Sequence, residues 1–170
     1  MLLVLADFDG GKYDIPDSTG VYTAADLQET IDNYEKIYLY KLLGVTLGKL
    51  IEAYFVAGRM PINANYEKII DPFAVDNYNC TVETFSYSLG MKEYLMAGIF
   101  YEYIKNGLKT SQAGIVDNLS ETASAQNPVS TMRFAENKFN DILDTVDAIQ
   151  KYCFETAALE ASYNGQRITV

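Results

Sequence analysis

The order of apolar and polar positions predicts a chain that is mainly helical. Its longest regular pattern covers residues 130–161, where apolar side chains recur at steps of three and four residues and therefore share one face of a helix. That face consists of Met132, Ala135, Phe139, Ile142, Leu143, Val146, Ile149 and Cys153. Acidic residues fall between these positions, on the side that would face solvent. A second helix with the same periodicity is predicted over residues 90–106.

Two helices that precede these are separated by a glycine. Thr23 is a good N-cap for the first, and Gly44 is a good stop because glycine adopts positive φ without strain. The second covers residues 46–57, and the two together form a predicted αα-hairpin. The side chains of the second that are predicted to point inward are Leu47, Leu50, Ile51, Tyr54 and Phe55. A short helix follows at 66–70, and residues 71–89 fit either a strand or a loop.

The small β element is predicted at the chain ends. Residues 2–8 are predicted as a strand, two glycines follow, and alternation resumes at residues 13–15, which is typical of a hairpin. This places an N-terminal hairpin arm at residues 1–22, and residues 167–170 are a candidate C-terminal strand. The predicted fold is therefore one mainly-α domain over residues 1–170, a bundle of about four helices with a small terminal β element.

Charge excludes several classes of partner. The 170-residue chain carries a net charge of −10, and its Lys and Arg residues form no run that could neutralise several phosphates. Specific nucleic-acid binding and attachment to an anionic membrane are therefore not expected. No apolar run approaches the length needed to cross a membrane. The two cysteines, Cys80 and Cys153, are far apart and in no metal-binding spacing, so both are expected to be reduced.

Candidate chemistry is limited by the absence of histidine, which removes Ser-His-Asp and Cys-His catalysis and histidine-ligated zinc. One enzyme signal remains, an apolar stretch followed by Asp7-Phe8-Asp9-Gly10, which resembles the first motif of haloacid-dehalogenase-type phosphotransferases. That resemblance implies that Asp7 is a nucleophile, that Asp9 is a general acid, and that Mg²⁺ is held beside them. Strands recur after each helix in that fold, whereas this chain is mostly helical, so a plain hairpin is the leading interpretation of this stretch.

Two further stretches carry a second resemblance. The first is residues 27–44, with Ile-Asp-Asn-Tyr-Glu at 31–35 and Leu-Leu-Gly at 42–44. The second starts with Gly-Met-Lys-Glu-Tyr-Leu at 90–95 and continues to residue 121. Both are similar to the head–tail connector proteins of tailed bacteriophages, also called adaptor or neck ring proteins, especially those of crAss-like and other Bacteroides-infecting phages.

This resemblance implies a structural protein of the virion, with no catalytic residue, cofactor or metal. Such proteins form a homo-oligomeric ring, typically of twelve copies, that lies beneath the portal protein, extends the DNA channel and docks the adjacent neck or tail ring protein. DNA is expected to pass through without specific binding. The protein is expected at the virion neck, after assembly in the host cytoplasm. The Mg²⁺-dependent phosphatase and a soluble helical interaction module remain alternatives.

The long polar loop predicted at residues 107–129, together with the C-terminal tail, is expected to reach neighbouring subunits or partners. A loop of this length in a compact domain is usually functional, disordered or ordered by a partner. The predicted contact residues are Lys109, Thr110, Gln112, Gly114, Ile115, Val116, Asn118, Ser120, Glu121, Arg167, Ile168 and Val170.

Overall fold

A computed structural model of the chain describes residues 2–15, 24–56, 63–79, 82–112, 128–156, 159 and 161–164. Its elements, in chain order, are a 3₁₀ helix Leu5–Phe8, helices α1 (Ala24–Val56) and α2 (Ala64–Ile70), strands β1 (Phe73–Asn79) and β2 (Val82–Ser88), and helices α3 (Met91–Gln112), α4 (Pro128–Asn140) and α5 (Leu143–Glu155). The prediction of a mainly helical chain with a small β element is confirmed. Within these ranges, no helix is both long and apolar enough to cross a membrane.

Helix α1 reverses direction at Gly44 and forms two packed arms, residues 24–43 and residues 45–56. Gly44 has φ 76° and ψ 166°, a conformation that glycine alone adopts without strain. Glu52 on the second arm accepts a hydrogen bond from the Tyr40 hydroxyl on the first arm at 2.8 Å. An unbroken helix would separate these two positions by about 18 Å, so the arms fold back on each other. The predicted αα-hairpin is confirmed.

The core lies where the α1 hairpin, α3 and α5 meet. Side chains from all three are completely buried, among them Ile31, Leu42, Leu47, Leu95, Ile99 and Ile149. The first arm of α1 approaches α3 closely because Gly98 has no side chain. A Cβ at Gly98 would lie 2.7 Å from the ring of Tyr38, well inside van der Waals contact. Close packing of these helices therefore depends on a glycine at this position.

The helix predicted over residues 130–161 is instead two helices, α4 and α5, so the prediction of one continuous helix is wrong. Asn140 and Asp141 lie at the break, and their short polar side chains compete with helical backbone bonding. The Ile142 N–H donates to the Phe139 carbonyl at 3.2 Å. This bond joins residues three apart instead of four and so closes a tighter turn than that of an α-helix. Ile142 is buried like the apolar residues on either side, so the apolar period continues across the break and conceals it.

The N-terminal strand and the hairpin arm predicted at residues 1–22 are wrong within the described residues. Leu5–Phe8 is a 3₁₀ helix. Leu3 and Tyr13 are buried against the helical core. Packing on the helices therefore holds these apolar residues in place, and not the pairing of two strands. A reversal does occur at the two following glycines, whose φ angles are 80° and 90°. We call residues 2–15 the N-terminal segment.

The β element lies in the middle of the chain, between α2 and α3, and the prediction that the termini form it is wrong for the described residues. β1 and β2 pair antiparallel from Phe73↔Ser88 to Asn79↔Val82. Phe73 and Ser88 are buried, and the Phe73 ring lies 5.2 Å from that of Tyr152 on α5. The asparagines of β1 favour a loop locally, but packing against α5 outweighs their weak strand preference.

Candidate functional site

The predicted contact residues fall partly in a helix. Lys109, Thr110 and Gln112 belong to the final turns of α3, so the prediction that a loop begins at Gly107 is wrong. A single glycine weakens a helix by only about 1 kcal/mol, too little to stop one whose earlier turns are packed on the core. The remaining predicted contacts lie outside the described residues: Gly114, Ile115, Val116, Asn118, Ser120, Glu121, Arg167, Ile168 and Val170.

The two aspartates of the phosphatase alternative lie in and next to a 3₁₀ helix. Asp7 accepts a hydrogen bond from the Val4 N–H at 2.9 Å through one oxygen and contacts Lys92 Nζ at 2.6 Å through the other. It therefore caps the 3₁₀ helix and ties the N-terminal segment to α3. Asp9 is the residue that ends this helix. Among the described residues, no group of three or more His, Cys, Asp or Glu side chains could hold a metal.

Glu35, from the first connector-like stretch, holds the N-terminal segment in place. Its side chain is buried, and its carboxylate accepts hydrogen bonds from the Leu2 N–H at 3.1 Å and the Leu3 N–H at 2.9 Å. The Leu3 side chain is itself buried, so the same contact positions an apolar group and two backbone donors. Glu35 therefore fixes the N-terminal segment across the first arm of α1.

The Leu-Leu-Gly motif of the same stretch forms the apex of the α1 hairpin. Leu42 and Leu43 are completely buried, and Gly44 makes the reversal. The carbonyl groups in the last turn of a helix lack helical partners. Gln150 of α5 supplies one, because its Nε2 donates to the Leu42 carbonyl at 3.3 Å. The motif thus determines how the two arms meet and how they contact α5.

The second connector-like stretch contributes a buried carboxylate, Glu102 on α3. Its oxygens accept hydrogen bonds from the Tyr38 hydroxyl at 3.3 Å and from Lys105 Nζ at 2.9 Å. Burial, and then the Glu102 charge, raise the pKa of the Tyr38 hydroxyl, so that group stays protonated and remains a donor. The hydrogen bond to Glu102 also raises the pKa of Lys105. This cluster joins the first arm of α1 to α3.

The second arm of α1 carries an exposed apolar surface that was not predicted from the sequence. Val45, Leu50 and Val56 are 50%, 44% and 77% exposed, and Lys49 and Ala53 are exposed on the same side of the helix. The prediction that Leu50 points inward is wrong, because the arm buries a different stripe. We call these five residues the outer strip. The apolar residues of the outer strip recur beside the buried stripe, so the arm is apolar on two sides. This second apolar side is the sequence signal from which the outer strip could have been predicted.

Helix α5 presents an acidic surface on the side opposite its buried stripe. Asp144 and Asp147 are exposed on adjacent turns, and Lys151, Phe154 and Glu155 follow on the same side. Lys151 pairs with Glu155 at 3.8 Å, and Phe154 is 55% exposed. We call these five residues the acidic face. Its net charge is negative, whereas the outer strip carries one positive charge.

The thiol of Cys153 lies in the core of α5. It is buried, which confirms the predicted position of Cys153 on the apolar face of its helix. Burial raises the pKa of the Cys153 thiol to about 12, so the group is protonated and unreactive at neutral pH. Cys80 lies outside the described residues.

No protein-family model, no curated protein and no solved structure matches this chain. The similarity to connector proteins therefore stays a prediction drawn from the sequence. The contacts of Glu35, Gly44 and Glu102, together with the two exposed surfaces, are the structural basis for proposing a function.

Proposed function

We propose that this chain is a structural, non-enzymatic subunit of the neck of a tailed phage. Copies of it pack side by side in a ring between the portal protein and the next neck or tail protein, and the ring extends the DNA channel. The subunit acts through its shape and its surfaces. Its net charge of −10 is compatible with a channel through which DNA moves, because an acidic surface repels DNA phosphates and does not bind them.

The observation that carries the proposal is that the connector-like stretches supply the residues that shape the subunit. Glu35 holds the N-terminal segment, Gly44 reverses α1, and Glu102 joins the hairpin to α3. Each copy in a ring must present its two contact surfaces at the same relative rotation, or the ring does not close. A subunit of this kind therefore depends on positions that fix the angles between its helices.

Exposed apolar side chains give the proposal a second support. Single apolar residues on a surface are common, but four of the five residues in the outer strip are apolar and share one helix face. The free energy falls when another protein covers a group of exposed apolar side chains, because apolar area is then removed from water. The outer strip is thus suited to contact with a second chain.

Light scattering after size-exclusion chromatography tests the proposal, on the chain alone and with a purified portal ring. We expect the measured mass to be that of a closed ring, a fixed multiple of the mass of one chain. The ring forms either from the chain alone or on the portal ring. A chain that stays monomeric and binds no portal ring would contradict the proposal.

An enzyme assay addresses the alternative directly. The proposal predicts no turnover of a generic phosphate ester in the presence of Mg²⁺. Turnover that disappears in Asp7→Asn and persists in Asp32→Asn would support the phosphatase instead. Asp32 is the matched control because it is an exposed aspartate on α1, outside the Asp7–Asp9 motif.

A further inference from the structure

We infer that the outer strip of one copy packs against the acidic face of the next copy. This inference rests on the proposed function, since it names the surfaces through which neighbours in the ring make contact. The occupant of the outer strip is a second copy of this chain. Three properties of the two surfaces lead to that choice: their directions, their charges and the spacing of their residues.

The two surfaces point away from the core that they share. The second arm of α1 buries Leu47 and Ile51, so the outer strip faces away from the packed interior. On α5, Gln150 reaches the Leu42 carbonyl from the buried side, which turns the acidic face outward. Two different outward surfaces that fit each other generate a head-to-tail contact, the kind of contact that closes into a ring.

The charges of the two surfaces are complementary. Lys49 is the charged residue of the outer strip. Asp147 lies in the N-terminal half of the acidic face, one turn before Lys151, whose charge is paired with Glu155. Because the chain has a net charge of −10, most pairs of its surface regions repel one another. A lysine set among apolar residues is one of the few places where a second acidic copy is attracted. We therefore pair Lys49 with Asp147.

The spacing of residues along the two helices agrees with that pairing. Val56 follows Lys49 by seven residues, and Phe154 follows Asp147 by seven residues. Seven residues make about two helical turns, roughly 10.5 Å along the axis, and return to the same face. Two helices side by side in parallel therefore place the charged pair together and Val56 against Phe154. Ala53 lies between the two contacts, and its small side chain allows close approach.

Charge reversal and its rescue test the inference. Lys49→Glu and Asp147→Lys are each expected to weaken self-association about tenfold or more, because like charges then face each other. The double variant exchanges the two charges and is expected to associate within about threefold of the parent. Val56→Glu is expected to weaken association as well. Dissociation constants come from sedimentation equilibrium, and circular dichroism melts verify that each variant is folded.

Arg133→Glu is the matched control, because it makes the same charge change at an exposed position on α4. Association within about threefold of the parent is expected for this variant. Association that is unchanged in both Lys49→Glu and Val56→Glu overturns the inference and leaves the ring proposal standing. Loss in both charge variants without recovery in the double variant also overturns it, because the two residues then do not face each other.

Further outcomes separate the inference from the proposed function. A chain that is monomeric at every concentration, that binds a portal ring, and that loses this binding in Lys49→Glu without regaining it in the double variant overturns the inference, because the portal protein is then the occupant. Unchanged portal binding in Lys49→Glu overturns it as well, whereas recovery in the double variant supports it. A monomer that binds no portal ring overturns the inference and the proposed function together.

Discussion

Removal of the Glu35 charge is expected to release the N-terminal segment from the rest of the fold. This carboxylate is buried and accepts hydrogen bonds from the backbone N–H groups of Leu2 and Leu3. Glu35→Gln keeps the volume of the side chain and one carbonyl oxygen. Oε2 accepts from both N–H groups, so an amide oxygen in its place keeps both donors bonded, but to a neutral acceptor, and the amide nitrogen replaces Oε1 beside the Leu2 N–H.

The size of the effect follows from these contacts. A hydrogen bond to a charged group contributes about 1.5–3 kcal/mol and one between neutral groups about 0.5–1.5 kcal/mol, and two bonds change from the first kind to the second. We expect the free energy of unfolding to fall by about 2–3 kcal/mol in Glu35→Gln. In a chain of this size that is a fall in Tm of roughly 4–12 °C.

Urea denaturation measures the global effect, and limited trypsin digestion measures the local one. Lys12 is a trypsin site within the N-terminal segment, and we expect cleavage after it to become faster in Glu35→Gln. Glu29→Gln is the control, because it makes the same change at an exposed position on the same arm of α1. It is expected to cost less than about 1 kcal/mol and to leave Lys12 cleavage unchanged. An unfolding midpoint and a Lys12 cleavage rate that match the parent in Glu35→Gln would show that Glu35 does not hold the N-terminal segment in place.

Three more predictions follow from particular residues. Gly44→Ala is expected to cost about 1–3 kcal/mol in urea denaturation, because alanine is strained at this φ and ψ; a midpoint equal to that of the parent would contradict the hairpin apex. In a Cys80→Ser background, Cys153 is expected to react with a thiol reagent at least about a hundredfold more slowly in the folded than in the unfolded chain, and equal rates would show that it is not buried. The hydrogen bond from Lys36, and then that from Tyr40, lower the pKa of Glu52 in the folded chain. The ionised Glu52 side chain therefore stabilises the fold at pH values above its pKa in the unfolded chain. This stabilisation is lost as the pH falls through the lower pKa that Glu52 has in the folded chain. The difference in unfolding free energy between the parent and Glu52→Gln, below about 1 kcal/mol, should therefore shrink below about pH 4; a difference that grows in acid would reverse the sign of this argument.

The helical elements were predictable where local signals and packing agree. Gly44 marks the reversal of α1 because a positive φ is a local property of glycine. The break between α4 and α5 was not predictable from periodicity, since Ile142 at the break is buried like its neighbours. Residues 71–89 fitted either a strand or a loop in sequence, because the pairing of Phe73 with Ser88 and its packing on α5 are nonlocal contacts that override the loop preference of the asparagines between them.

The candidate site was less predictable because its parts come from distant positions in the chain. Glu35 looks like a solvated charge in sequence, and its role follows only from contacts with Leu2 and Leu3. Leu50 falls close to both the buried and the exposed sides of its helix, and periodicity placed it on the wrong one. The sequence of the second arm of α1 does show apolar residues on two sides of the helix. The second of these sides is the outer strip.

Electron microscopy of the purified chain, imaged alone and on a portal ring, shows directly whether copies of the chain assemble into a ring. We expect class averages with one cyclic symmetry and a central opening wide enough for duplex DNA. Separate single copies in both samples, or closed two-fold dimers without an opening, would contradict it.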